Sequence, residues 1–172
     1  MTTRRNTKHM NKITALLIAL SLTGCATFQP IPEGYSGPLA SIKDSGQYED
    51  GSKAQVFAVT EISGNRIMNS FWASANASRG QGFALNLVIS ERQLPAQPVR
   101  VTLKGSHTTA APIHAIASQM AGTFHSVEGS VDFSPKANGR YVVNGQLQKG
   151  ASAVWIEDVD SGEIVTEKVS EK

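Results

Sequence analysis

The chain is expected to be mainly β, an antiparallel β-sandwich or small barrel of about seven or eight strands with one short helix. Three observations lead there. Segments 99–104, 126–133 and 141–147 alternate apolar and polar side chains with a period of two. Clusters of Gly, Pro, Asn, Asp and Ser separate such segments at short intervals. A single segment carries helical spacing instead.

Residues 54–62 and 66–70 read as a first hairpin around Ser63-Gly64-Asn65, because Gly and Asn accept the positive φ of a tight turn. Residues 82–90 place Phe83, Leu85, Leu87 and Ile89 on one face and read as a strand ending before Pro95. Val99, Val101 and Leu103 then alternate with Arg100, Thr102 and Lys104. Ile113, Ile116, Ala117 and Met120 fall at i, i+3, i+4 and i+7, with Pro112 suited to a first helical turn and Gly122 to the position past the end. A helix is expected over about residues 112–121. Val127, Gly129, Val131 and Phe133 face one way and Ser126, Glu128, Ser130 and Asp132 the other. After a turn at 135–139, Tyr141, Val143, Gly145 and Leu147 repeat the pattern, as do Val154 and Ile156. Asp160-Ser161-Gly162 turns the chain into a closing strand at 163–169.

The N-terminus has a different character. Arg4, Arg5, Lys8 and Lys12 precede the apolar run 13–22, with no acid among them. Ten residues make about 15 Å of helix, against a hydrocarbon core of roughly 30 Å, so the run is too short to span comfortably. It ends in Leu22-Thr23-Gly24-Cys25, and Cys25 is the only cysteine. A basic stretch, a short apolar stretch and small residues make a secretory signal. Together with the lipobox these residues resemble a bacterial lipoprotein precursor. The resemblance implies removal of residues 1–24 as a signal peptide, cleavage between Gly24 and Cys25, and lipidation of the Cys25 sulfur. With Ala26 rather than Asp after the cysteine, it also implies an outer-membrane protein facing the periplasm. Met10 offers a second start, and Arg4-Arg5 a twin-arginine reading that the following Asn6-Thr7-Lys8 does not favour.

Residues 25–51 read as the lipidated N-terminus and a tether, with Pro30, Pro32 and Pro38 excluding regular helix. The alternative is an arm packed along the domain through Phe28, Ile31 and Tyr35. Residues 52–172 are expected to form a single β-rich domain, which the resemblance implies is periplasmic. The formal charge of +2 comes from sixteen Lys+Arg against fourteen Asp+Glu. Without residues 1–24, which hold four of the bases, twelve face fourteen and the net charge becomes −2. That balance, with no basic run, argues against nucleic acid. With Cys25 lipidated, no disulfide is possible and the core must supply the stability.

Chemistry-bearing residues are sparse. His107, His114 and His125 show no metal-ligand spacing, and no serine stands in a nucleophile motif. No catalytic residue, metal or cofactor is expected. Glu157-Asp158-Val159-Asp160-Ser161-Gly162-Glu163 partly matches a calcium loop, but Gly162 stands at its fifth position and Val169 at its twelfth, so a plain turn is favoured. Phe71 and Trp72 lead into a small-residue segment, 73–82, read as a pliant loop. With Arg79 they are the candidate binding residues, able to grip a glycan or protein by stacking, unless they plug the end of the sandwich. Trp155 is expected to be buried. The functional expectation is a membrane-anchored, non-catalytic envelope-interaction or structural protein. A glycan- or peptidoglycan-binding module is the alternative, and a hydrolase ranks last.

Overall fold

The computed structural model describes residues 28–171. Gly24, Cys25 and the rest of the segment expected to be a signal peptide lie outside them. Among the described residues ten strands form two sheets: β1 (Leu39–Lys43), β2 (Ser45–Tyr48), β3 (Lys53–Ile62), β4 (Asn65–Arg66), β5 (Glu91–Pro95), β6 (Val99–Thr109), β7 (Ser126–Phe133), β8 (Arg140–Gln146), β9 (Ala153–Asp158) and β10 (Val169–Ser170). Helix α1 is Ser70–Ser78 and helix α2 is Pro112–Met120. One sheet runs β10-β9-β8-β1-β5 and the other β2-β3-β6-β7, with β4 also on β3. The sheets do not close on each other, so the fold is a β-sandwich and not a barrel. All pairings are antiparallel except β1 with β8.

The alternating segments build the core as their period requires. Val101, Leu103, Val127, Val131 and Phe133 meet Tyr141, Val143, Val154 and Ile156 across the sandwich. The Phe133 and Tyr141 rings meet edge to face at 4.9 Å. Phe57 lies between the sheets against two glycines: a Cβ would come within 2.9 Å of its ring at Gly105 and 2.5 Å at Gly145. Both glycines are therefore packing residues.

Several expectations need correction. The tether does not reach residue 51: β1 sits between β8 and β5 in the middle of one sheet, and β2 belongs to the other. Within Leu39–Lys43, Ala40 and Ile42 are buried, which the nearby prolines and glycines obscured. Phe28 packs against the core, as the arm alternative holds. The first hairpin is shorter than expected. Its turn is Ser63-Gly64, with φ of 51° and 76°, and only Asn65–Arg66 pairs back. Residues 82–83 lie in a turn, with Gly82 at φ of 65°, and 84–90 belong to no sheet; the strand is Glu91–Pro95. Only Val169–Ser170 and one bridge, Glu157 to Ile164, remain of the closing strand. Helix α2 lies where its spacing put it, yet its apolar stripe faces solvent, with Ile113 58%, Ile116 52% and Met120 85% exposed. Among the described residues no helix is long and apolar enough to cross a membrane.

Candidate functional site

The segment read as a pliant loop is helix α1, and its sequence explains how it is held. Asn69 is the N-cap: its side-chain oxygen accepts from the Phe71 and Trp72 amides. Ser70, Ser74 and Ser78 stand four apart on one face and are all buried. Their hydroxyls accept the backbone N–H groups of Ser90, Val88 and Asn86, at 2.8, 2.9 and 2.9 Å. Four helical residues rise about 6.0 Å and two extended residues about 6.6 Å, so the two repeats stay in step. The serines thus replace a neighbouring strand. Residues 82–90 alternate like a strand and yet join no sheet for this reason.

The helix start is fixed by Asp44, which is wholly buried where the chain crosses from β1 to β2. Its carboxylate takes a bidentate pair from Arg92 at 2.9 and 2.7 Å. It also accepts from the Ser70 amide and hydroxyl, both at 2.9 Å, and from the Val59 amide at 3.2 Å. With Asn69 and Asp44 so placed, the first amides of α1 are all engaged, and none is left to receive an anion.

These supports present Phe71 and Trp72 beside an open groove of about 720 Å³. One flank is apolar, made by Ile67, Met68, Phe71 and Trp72. Trp72 is 53% exposed, so it does not plug the sandwich end. Thr60, Lys104, Ser106 and Glu128 line the remainder with Glu61, Arg66, Asn69 and His107. Lys104 and Glu128 are direct cross-strand partners on the outer face, joined at 2.8 Å. Glu61 accepts from Thr102 at 3.1 Å and lies 3.8 Å from Arg66. Arg79 is absent from this lining; it closes the far end of α1 and donates to Asn76. Of the three candidate residues the sequence pointed to, Phe71 and Trp72 line this groove, and none of its polar residues was singled out for binding. Lys104 and Glu128 looked like ordinary outward positions, and only the register makes them neighbours.

The histidines do not form a site. The His125 amide donates to His107 Nδ1 at 2.9 Å, which leaves the proton on Nε2 to bond Glu49 at 2.8 Å. Both ring nitrogens are committed, and neither is free to serve a nucleophile. Glu49 also accepts from Gln55 at 2.8 Å and pairs with Lys53 at 3.0 Å. Burial works against its charge, but the hydrogen bonds from Gln55, Lys53 and His107 outweigh it and hold its carboxyl below the ordinary range. His114 lies apart against the Phe83 ring, at 5.1 Å. Among the described residues no group of His, Cys, Asp or Glu is arranged to hold a metal.

The acidic segment near residue 160 is a turn. Asp158 accepts from the Asp160 and Ser161 amides at 2.9 and 3.1 Å, and Gly162 has φ of 72°. These backbone bonds keep the Asp158 carboxyl below its usual range. Asp160 pairs with Arg140. Trp155 is half-buried instead of buried: it donates to Glu157 at 2.6 Å and lies under the Lys168 ammonium, 4.2 Å from the ring centre. Comparisons of the chain with protein-family models, with curated proteins and with solved structures found no match.

Proposed function

We propose that the chain is a lipid-anchored bacterial envelope protein whose β-sandwich binds an envelope component without catalysing a reaction. The anchor reading rests on Leu22-Thr23-Gly24-Cys25 behind a basic, then apolar, leader. Two or more acyl chains on Cys25 hold a protein at a membrane firmly, where one binds marginally. Ala26 supports the outer membrane, with the domain in the periplasm. The observation that carries the binding reading is the half-exposed indole of Trp72 on the flank of the groove. An exposed, rigidly based aromatic beside paired charges is a recognition surface. The engaged nitrogens of His107, the imidazole that lines the groove, support the non-catalytic part.

The two halves of the reading are tested separately. Mass spectrometry of the membrane fraction is expected to find acylated Cys25 at the N-terminus, and Cys25→Ser to move the protein out of that fraction. An unmodified thiol, or an intact leader, defeats the anchor reading. For the groove, an envelope component captured by the full chain is expected to be lost with Trp72→Ala. Capture that ignores this substitution defeats the binding reading.

A further inference from the structure

We infer that the occupant of the Trp72 groove is an uncharged glycan, stacked on the indole and hydrogen-bonded to the Lys104–Glu128 pair. This deepens the binding reading and rests on it. Two carboxylates, Glu61 and Glu128, face two cations, Arg66 and Lys104, and each is already beside its opposite. No surplus cation remains to neutralise a phosphate, an acidic polysaccharide or a carboxylate-rich peptide. The amides at the start of α1, the other common anion site, are consumed by Asn69 and Asp44.

An apolar helix or peptide fits no better. Trp72 and Met68 would suit it, but the Lys104–Glu128 pair is partly exposed and would lose water without gaining partners. Burying an ion pair under apolar atoms is unfavourable. A pyranose ring answers both flanks at once. Its C–H face is apolar and stacks on an aromatic, while hydroxyl or acetamido groups at its rim donate to Glu128 and accept from Lys104. The groove volume of about 720 Å³ falls within the roughly 300–1,000 Å³ common for small-ligand sites.

The test uses the full chain in detergent micelles carrying Trp155→Phe, so that Trp72 is the only indole. Soluble N-acetylglucosamine oligomers and, separately, glucose oligomers are titrated while tryptophan emission is followed. Saturable emission shifts that are little changed by salt are expected. A response to the acetylated oligomers alone identifies wall-type glycan as the source; a response to both supports a general sugar chain. By calorimetry, Trp72→Ala is expected to weaken binding about tenfold or more. Trp72 is half exposed, so this variant keeps its fold, and thermal melting checks that. No response to either oligomer, an affinity unchanged in Trp72→Ala, or salt-sensitive binding of polygalacturonate in their place overturns the inference. If Trp72-dependent capture of an envelope protein persists while both sugars fail, only the glycan assignment falls. If capture fails as well, the binding reading falls with it.

Discussion

Asp44 shows how much one side chain decides in this protein. Five hydrogen bonds converge on a carboxylate with no solvent exposure, and they come from β3, β5 and the start of α1. Replacing it by Asn keeps the shape but leaves Arg92, itself nearly buried, without a counter-charge. Removing one partner of a buried pair costs about 3–5 kcal/mol, so Asp44→Asn is expected to lower the urea midpoint sharply. Asp132→Asn breaks the exposed pair with Arg100 and is expected to leave that midpoint nearly unchanged. Glu49 sets an acid limit of a different kind. Its carboxyl titrates lower in the folded state than in the unfolded chain, where the value is about 4.3. Its charge therefore stabilises the fold above that pH, and the contribution fades as pH falls through the lower, folded-state value. Glu49→Gln is expected to flatten the stability curve below about pH 4, read from thermal melts across an acid series.

At the scale of elements, α1 and the extended chain at 86–90 form one unit. The helix presents hydroxyls every fourth residue, and the extended chain presents amides every second residue. Ser74→Ala is expected to deprive the Val88 amide of its part-buried hydroxyl acceptor, at about 1 kcal/mol. Hydrogen exchange of that amide should quicken well beyond its neighbours, and unchanged protection would show that the serine does not carry the contact. The spacing Ser70-x-x-x-Ser74-x-x-x-Ser78 was present in the sequence all along. It was illegible because serine favours caps and turns, and a run of small residues resembles a loop until a partner for its hydroxyls is known. Helix α2 teaches the converse. Its apolar period located the helix correctly, but period alone does not say that the stripe is covered, and here it is exposed.

For the molecule as a whole, the position of β1 has the largest consequence. A chain shortened to begin after residue 48, as a tether ending near 51 would allow, loses the strand between β8 and β5 together with Asp44. Its buried faces and strand edges would open to water. Such a chain is expected to show no cooperative unfolding transition, whereas one that begins before Phe28 keeps it. The same topology explains why the groove has two unlike flanks. The aromatic side comes from the passage into α1, and the charged side comes from β6 and β7, which are distant in sequence and adjacent in register.

The sandwich class, the inward faces of β6 to β9 and helix α2 were legible locally, because a strand or helix repeats its apolar positions at its own period whatever it packs against. The proposed lipobox, too, rests on a local reading, of residues 22–25 as a linear segment. The fold alone decided that residues 39–48 are strands, that α1 is a helix, and that Trp72 shares a groove with Lys104 and Glu128. Each of these depends on partners far away along the chain, such as Arg92 for Asp44, 48 residues on. No local pattern carries that information, because pairing at long range is set by which buried groups can satisfy one another once the sheets have formed.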